Sequence, residues 1–285
     1  MLASFATRVQ TQSLTVRDGA GQLVTLRAPA MRIASVVPSA TDLLVALGAR
    51  DQLVARTRYD TARAVRGAVD VGGGLDPDLE RLLSARPALL VAWRSQASVP
   101  WLARVRERGV AIYLVDTRDT ATFLASVEAL GTLAGRRAEA TRARDAYRAA
   151  LAPFVARQRA AGATRTGLYI VGTDGVFIAG PPSFVAQGLA LAGLRSPLAG
   201  ITQDFPAISL EQVIASDPDV LVLPWHRGAP RLAELRSMAG WRGLRAVREG
   251  RVLEVDGDAW SRPGLHFPQL VRSLASAVDS LSRPR

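Results

Sequence analysis

The stretch LDPDLERLLSARPALLVAWR (75–94) joins a helix pattern directly to a buried-strand pattern. Asp76 and Pro77 are typical of a helix start, and the helix is expected to run to about Ala85. The continuous apolar run Leu89–Trp93 is typical of a strand that is buried on both faces. Such strands lie in parallel sheets with helices packed against them, so this stretch predicts an α/β fold.

A second stretch, ISLEQVIASDPDVLVL (208–223), repeats the same pattern 131 residues later. Leu79-Glu80 matches Leu210-Glu211, and Leu90-Val91 matches Leu221-Val222, with a proline between helix and strand in both copies. Parallel sheets present ligand sites at the carboxyl ends of their strands. We therefore expect residues that follow the two repeated strands to take part in binding.

Strand and helix patterns alternate on both sides of a helical region that runs from about Thr120 to Ala161, with a break near Gly131–Gly135. This order predicts two α/β lobes with mainly parallel sheets, joined by a long helix. We expect an N-terminal lobe over 1–134, a connecting helix over 135–162 and a C-terminal lobe over 163–285.

Two shorter patterns lie near the N-terminus. Alternating residues over 13–27, around a turn at Asp18–Gly21, predict a β-hairpin. Ser39, followed three residues later by Asp42, predicts a capping box at the first helix. The hairpin precedes a short β-rich run from Arg32 to Val37, and the capping box follows that run.

The composition excludes several classes of function. The 285 residues include no cysteine, which excludes thiolate catalysis, Cys-ligated zinc and disulfides. The formal net charge is +11, but the basic residues are all arginine and are scattered along helices, so we expect no nucleic-acid partner. No apolar run reaches the roughly 18 residues of a membrane span. The first residues lack the pattern of a secretory signal.

Catalytic signals are weak. The two histidines, His226 and His266, do not lie in a metalloprotease spacing, and no nucleophile-elbow or P-loop motif is present. Gly72–Gly74 precedes a helix, but it lacks the rest of a nucleotide fingerprint and is better explained as a flexible turn. We therefore expect no catalytic residue, no metal site and no cofactor, although an α/β enzyme stays an alternative.

Aromatic residues give a stronger signal for binding. Trp93 and Trp225 follow the two repeated strands, and Trp260 follows an acidic loop. Aromatic faces beside a cleft suit a flat macrocycle or a sugar, because they offer apolar area with little rotamer entropy to lose. Each of them could instead be a packing residue, which is the expected role of Trp101 and Trp241.

The motifs together resemble a known family. RIASVVPSATDLLVALGARDQLV (32–54), the two repeated stretches and VDGDAWSRPG (255–264) are similar in order to the helical-backbone solute-binding proteins of ABC importers, which handle cobalamin, haem and ferric siderophores. The resemblance implies two lobes joined by a rigid helix, with a ligand cleft between them. It implies a periplasmic or extracytoplasmic monomer, with its leader absent from this chain, that serves an ABC permease dimer and its ATPase.

The resemblance also implies roles for residues. Glu80 and Glu211 match the glutamates that dock onto arginines of the permease. Residues that match the ligand-binding positions of cobalamin binders, together with Trp225 from its place after a strand, are Tyr59, Trp93, Phe205, Trp225, Asp258, Trp260 and Arg262.

A corrinoid of the cobalamin type is the expected ligand, with haem or a ferric siderophore as the alternative. Arg56 and Arg58 stand where cobalamin binders often carry an acidic-aromatic string, and they could contact carboxylates or phosphate. Gly73 stands near the place where haem receptors tend to carry an iron-ligating tyrosine. Tyr59, His226 or His266 could substitute for that tyrosine.

Overall fold

The computed structural model describes residues 13–161, 165–172, 175–198, 200–225 and 232–281, and these residues form two compact units. The first unit contains the described residues up to Asp116 together with Leu124–Arg144. The second contains Thr117–Phe123 and the described residues from Asp145 onward. No helix within the described ranges combines the length and the apolar character that a membrane span requires.

The first unit is built on a five-stranded parallel sheet with the strand order β5-β4-β3-β6-β7, accompanied by a separate antiparallel hairpin, β1–β2. The strands are β1 (Leu14–Arg17), β2 (Leu23–Leu26), β3 (Ile33–Ser35), β4 (Leu53–Arg56), β5 (Val69–Asp70), β6 (Leu89–Trp93) and β7 (Ala111–Val115). The helices that begin in this part of the chain are α1 (Pro38–Ala46), α2 (Leu79–Ser84) and α3 (Pro100–Glu107).

The helical region that was predicted between the two halves consists of α4 (Thr120–Leu133) and α5 (Arg137–Ala161). Gly135 lies between them with φ of +68°, a left-handed conformation that ends a helix at little cost for glycine. The break near Gly131–Gly135 is therefore confirmed. The 25 residues of α5 include Pro153.

The second unit has a mixed sheet with the order β11-β9-β8-β12-β13, in which β12 is parallel to β8 and β13, and β9 is antiparallel to β8 and β11. Its strands are β8 (Arg165–Gly172), β9 (Val176–Ile178), β10 (Leu194–Arg195), β11 (Ala207–Ile208), β12 (Val220–Trp225) and β13 (Val252–Asp256). Its helices are α6 (Phe184–Leu191), α7 (Leu210–Ser216), α8 (Leu232–Ser237), α9 (Arg245–Arg248), α10 (Gly257–Trp260) and α11 (Phe267–Ser280). The predicted α/β class is thus confirmed.

The sequence repeat is a structural repeat. Helices α2 and α7 begin at equivalent residues, and each is capped by the residue before it. Asp78 accepts a hydrogen bond from the N–H of Arg81 at 3.0 Å, and Ser209 accepts one from the N–H of Gln212 at 3.2 Å. Each bond satisfies a backbone donor that the first turn of a helix leaves unpaired.

The backbone that follows these helices is also repeated. Arg86 and Asp217, at the same offset of 131, have φ of +44° and +31°, and no other non-glycine residue in the described ranges has a positive φ. A proline follows each of them and cannot continue a helix. The strands that come next, β6 and β12, each lie in the sheet between two parallel neighbours.

Two helix starts differ from the prediction. Helix α2 begins at Leu79 rather than at Asp76, because Pro77 pairs with Gly72 in an antiparallel bridge before the helix starts. The prediction of a capping box at the first helix is wrong. Pro38 takes the first helical position of α1, so Ser39 lies inside the first turn, and Val37 at the cap has no side-chain hydrogen bond.

Candidate ligand-binding site

The carboxyl edge of the first sheet gathers loops from four of its five strands. The N–H of Arg58, after β4, donates to the carbonyl of Gly72, after β5, at 2.9 Å. The amide of Gln96, after β6, donates to the carbonyl of Gly74 at 2.9 Å. Gly74 also lies against the backbone of Val36, after β3. The Gly72–Gly74 loop is therefore held by its neighbours on this edge.

Two arginines flank this loop, and they have different surroundings. Arg56 has a side chain that is 14% exposed; it donates to the carbonyls of Val65 at 3.1 Å and Thr57 at 2.9 Å and pairs with Asp70 at 3.5 Å. Arg58 is exposed, and in the described part of the chain no ion pair involves its guanidinium. Of the two predicted anion contacts, Arg56 is largely buried and hydrogen-bonded, whereas Arg58 is exposed.

Tyr59 and Trp93 lie on the same edge. The ring of Tyr59 is exposed, and the guanidinium carbon of Arg58 lies 5.9 Å from its centroid, which is a cation–π distance. Trp93 is the last residue of β6 and is half-buried. Its backbone N–H donates to the side-chain oxygen of Gln96 at 3.0 Å. The first unit thus places both predicted aromatic residues beside the glycine loop.

The second unit has an aromatic surface on the ladder formed by β9 and β11. Phe177 pairs with Ala207, and hydrogen bonds from Ile178 to Pro206 and from Gly180 to Asp204 continue the ladder past β11. Phe205 therefore lies diagonally across from Phe177 on the same face, and both rings are exposed, Phe205 by 53%. The sequence reasoning missed Phe177, because a three-residue strand shows too little alternation to be predicted.

Trp225 lies at the carboxyl edge of the second sheet. It ends β12, is 52% exposed and pairs in register with Asp256, the last residue of β13. Asp258 follows within α10 and is exposed, and Arg262 comes just after that helix with a partly exposed side chain. Trp225, Asp258 and Arg262 therefore lie near the ends of neighbouring strands.

The position of Trp260 does not fit its predicted role as a ligand contact. It is 3% exposed and packs within the second unit, 6.3 Å from Tyr169 and 6.0 Å from Phe267 between ring centroids. Gly188 leaves room for it, because a Cβ there would lie 2.6 Å from the indole. The structure therefore makes Trp260 a core residue. Trp241 is likewise buried, as expected.

The burial of Trp260 belongs to a larger aromatic cluster. Phe267 stacks on Tyr147 at 6.4 Å and contacts Phe184 at 4.1 Å between ring centroids. Burial raises the pKa of the Tyr147 and Tyr169 hydroxyls well above their usual range, so both stay protonated and neutral. This part of the second unit is a packed core and offers no titratable group to a ligand.

Glu80 and Glu211 are exposed residues of the first turns of α2 and α7. The backbone N–H of Glu211 itself and the Ser209 hydroxyl lower the pKa of the Glu211 carboxyl, so it is charged at neutral pH. No ion pair of either glutamate occurs among the described residues. Each unit therefore presents one carboxylate at the start of its repeated helix.

The described ranges hold no group of three or more potential metal ligands. His266 is exposed, and its Nε2 lies 3.0 Å from the carbonyl oxygen of Ala259. One of its two ring nitrogens is therefore engaged in a hydrogen bond with the backbone. His226 lies outside the described residues.

Comparison with known proteins identifies the class of this protein. Residues 33–259 match the periplasmic binding protein family, and the chain belongs to that family. It is a substrate-binding protein of the ABC type.

Individual relatives are distant but similar over most of their length. An uncharacterized ABC transporter substrate-binding lipoprotein of Bacillus subtilis is 22% identical over 94% of this chain and 85% of its own. A vitamin B12-binding protein of Vibrio parahaemolyticus is 23% identical over 90% of this chain and 92% of its own. The solved periplasmic haem-binding protein of Roseiflexus has a TM-score of 0.76 and 22% identity, over 88% of this chain and 99% of that one.

Proposed function

We propose that this chain is an extracytoplasmic receptor that binds a corrinoid of the cobalamin type and delivers it to an ABC permease, and that it has no enzymatic activity. The observation that carries the proposal is the pair of exposed rings, Phe177 and Phe205, on the β9–β11 ladder, with the exposed Trp225 at the end of β12 in the same sheet. A contiguous exposed apolar patch, unlike a single exposed ring, is typical of a surface that binds a ligand or a partner. The vitamin B12-binding relative supports the same ligand class.

Titration with cyanocobalamin, cobinamide and haemin, followed by calorimetry and visible spectroscopy, tests this proposal. We expect saturable one-to-one corrinoid binding at micromolar affinity or better. Phe177→Ala combined with Phe205→Ala should weaken it at least tenfold, about 1.4 kcal/mol. Leu23→Ala, which removes an exposed apolar side chain from the β1–β2 hairpin, is the control and should change nothing. Failure of every corrinoid to bind would refute the ligand assignment.

Haem is the second candidate ligand, and the exposed phenol of Tyr59 beside Arg58 favours it. A tyrosinate can ligate haem iron. Haem binding through Tyr59 would produce a ligand-to-metal absorption band that Tyr59→Phe removes. A spectrum of added haemin that the protein leaves unchanged would exclude this candidate.

We further propose that Glu80 and Glu211 dock the receptor on its permease. Both are exposed at equivalent helix starts, where a carboxylate can pair with arginines of a dimeric partner. Glu80→Gln combined with Glu211→Gln should leave ligand affinity unchanged and abolish transport by the reconstituted importer. Glu139→Gln, at the start of α5, serves as a control for the loss of a carboxylate from the first turn of another helix. Normal transport with the double variant would contradict the docking role.

A further inference from the structure

A cavity of about 530 Å³ lies within the first unit, between the hairpin strand β2 and the edge strand β7. Its lining residues lie between Asp18 and Thr25 in the hairpin and between Val110 and Leu114 around β7, together with Ala97 and Arg106. The volume falls in the range of sites that enclose a ligand. None of these residues is among those assigned above to the ligand or to the permease.

One wall of this β2–β7 cavity is the outer edge of β7. The N–H of Ala111 donates to the carbonyl of Ala88, on the β6 side, at 3.1 Å. Backbone groups alternate in direction along a strand, so those of Ile112 and Leu114 point to the outer edge. There the carbonyl of Leu114 accepts from the N–H of Gly19 at 2.6 Å, which is the one backbone bond that either residue makes at this edge with a described residue.

The opposite wall is the edge of β2 that lies away from β1. At the hairpin turn, the N–H of Asp18 donates to the carbonyl of Gln22 at 2.8 Å. Bonded and unbonded pairs alternate from there along the antiparallel ladder, so Thr15–Thr25 is an unbonded pair. Thr25 therefore directs its backbone groups to the cavity side of β2, and Thr15 directs its own to the far side of β1.

These two edges are joined only at the hairpin turn. A Cβ at Gly19 would lie 2.6 Å from the Cβ of Asp116, so the turn is packed tightly against the end of β7. Beyond it β2 and β7 are neighbours, yet they belong to separate sheets in the described part of the chain. Unpaired strand edges are usually covered in native proteins, and those left open can accept an added strand.

The mouth of the β2–β7 cavity is basic. Arg106 lines it from the last turn of α3, and Arg104 and Arg108 lie beside it in the sequence. All three are exposed, and none forms an ion pair with a described residue. Asp18, the acid among the described lining residues, is 7% exposed and accepts hydrogen bonds from two N–H groups of its own turn, at 2.9 and 2.8 Å. This charge favours an acidic occupant.

We propose that the β2–β7 cavity binds an extended, acidic segment of a partner protein by strand addition. The backbone of the segment pairs with Ile112 and Leu114 on one side and with Thr25 on the other, and a carboxylate of the segment pairs with Arg106. This interaction is independent of ligand capture, because all of its residues lie in the first unit and none belongs to the proposed ligand-binding or docking sets.

The probe is a fluorescein-labelled peptide of six alternating glutamates and valines, added to the full chain and followed by fluorescence anisotropy. We expect saturable one-to-one binding. The same peptide with glutamine in place of glutamate should bind at least tenfold more weakly, because it has no charge to pair with Arg106. A peptide N-methylated at its valines should also bind at least tenfold more weakly, because it lacks backbone donors along one edge.

Arg106→Gln should weaken binding of the glutamate peptide about tenfold and leave binding of the glutamine peptide within a factor of two. Arg159→Gln, at an exposed position in the last turn of α5, is the control for the loss of one positive charge. It should leave both affinities unchanged. Equal losses for the two peptides in Arg106→Gln would overturn the assigned charge contact.

Thr25→Pro removes the N–H that faces the cavity, and Thr15→Pro removes the equivalent N–H on the outer edge of the hairpin. The two variants are matched, because each also loses the Thr15–Thr25 hydroxyl bond of 3.0 Å and neither N–H belongs to the hairpin ladder. Thr25→Pro should weaken peptide binding at least tenfold, and Thr15→Pro should change it less than twofold. Equal losses would overturn strand addition at β2.

Hydrogen exchange of the wild type, measured by NMR, tests the other edge without any substitution. The glutamate peptide should slow exchange at the amides of Ile112 and Leu114, but not at Ala111, which is already paired. Unchanged exchange at Ile112 and Leu114, or the absence of saturable binding, would overturn the proposal. A dimer that Thr25→Pro abolishes, in a protein that binds no peptide, would overturn it in favour of a second copy of this chain.

Discussion

The loop before α2 and the segment before α7 occupy equivalent places in the repeat, yet they carry opposite chemistry. Gly74 and Phe205 are 131 residues apart, the offset of the repeat. At Gly74 a Cβ would lie 2.3 Å from the carbonyl oxygen of Val36, so no side chain fits. At Phe205, by contrast, the chain carries an exposed aromatic side chain. The repeat preserves the backbone frame, and the two copies differ in what they offer a ligand.

The residues that pair with these two segments differ between the copies. Gly72 pairs with Pro77 in a single antiparallel bridge, and Val176 pairs with Ile208, 131 residues after Pro77, in the β9–β11 ladder. In the first unit, Pro77 thus pairs within its own loop, and the loop carries no side chain at Gly72–Gly74. In the second unit, Ile208 pairs with a separate strand, and the exposed rings of Phe177 and Phe205 lie on that ladder.

The largest effect is expected where the second unit differs most from its sequence prediction. Trp260→Ala removes a buried indole from the aromatic cluster and should cost about 3–5 kcal/mol of unfolding free energy. Trp225→Ala, at an exposed strand end, should change stability by less than about 0.5 kcal/mol. Urea denaturation followed by circular dichroism measures both. Similar losses in the two variants would show that Trp225 also belongs to a core.

Gly74→Ala tests the loop comparison directly. The added methyl must displace the backbone of Val36, so we expect a loss of about 3 kcal/mol. Phe205→Ala, at the equivalent place, should cost less than about 1 kcal/mol, because its ring is exposed. Gly67→Ala is the control, since nothing lies within 4 Å of its Cβ position. A neutral Gly74→Ala variant would mean that the loop yields and that the two copies differ less than the structure indicates.

A third difference lies where the first strand of each sheet meets the repeated segment. Asp219 accepts two hydrogen bonds from Thr166 at 2.9 Å and pairs with Arg245 at 2.9 Å. Burial raises the pKa of this carboxyl, but the bonds from Thr166 and the charges of Arg245 and Arg251 outweigh it and hold the pKa below its usual range. Asp219→Asn should therefore cost about 2 kcal/mol at pH 7.

That contribution has a defined pH dependence. A carboxylate whose pKa is lower in the folded than in the unfolded protein stabilises the fold at pH values above its unfolded-state pKa, about 3.9. This stabilisation is lost as the pH falls through the folded-state pKa. The stability difference between wild type and Asp219→Asn should thus be constant from about pH 5 to 7 and shrink below about pH 4. In the first unit, Arg32 makes the corresponding link to the carbonyls of Ala85 and Arg86, which do not titrate. A stability difference that does not shrink at all between about pH 5 and pH 2 would contradict this assignment.

The smallest effect is expected where the two copies agree. Asp78→Ala and Ser209→Ala each remove one capping bond and should each cost about 1 kcal/mol. Ser84→Ala, at the end of α2, is the control for loss of a polar side chain. Thermal unfolding measured under the same conditions should give similar shifts for the two cap variants. A much larger loss in one of them would show that its cap supports more than the helix start.

Most of the regular elements could be predicted from local sequence. The hairpin over 13–27, the strand Leu89–Trp93 and the helical region up to Ala161 follow from periodicity, and the structure confirms them. The short strands β5, β9 and β11 were missed, because two or three residues are too few to show the alternation of apolar and polar positions that identifies a strand. The start of α2 was misplaced because Asp76-Pro77 has the pattern of a helix cap but is paired with the glycine loop.

The candidate site could be predicted only in part. The sequence indicated Arg56 and Arg58 as equivalent anion contacts, and only the positions of Val65 and Asp70 distinguish them. The ligand-binding residues and the docking glutamates stay predictions that the experiments above address. Trp260 was taken for a ligand contact, since nothing near it in the chain indicates that Gly188 makes room for its ring.

Sequence alone was sufficient for the α/β class, the repeat and the family, because caps, prolines and apolar periods act over a few residues and specify each element locally. Tertiary structure alone decided which arginine is available, which tryptophan is buried and why Gly74 has no side chain. Burial and pairing depend on atoms that are distant in the chain and meet only after folding. The family was therefore accessible from sequence, and the chemistry of each ligand face was not.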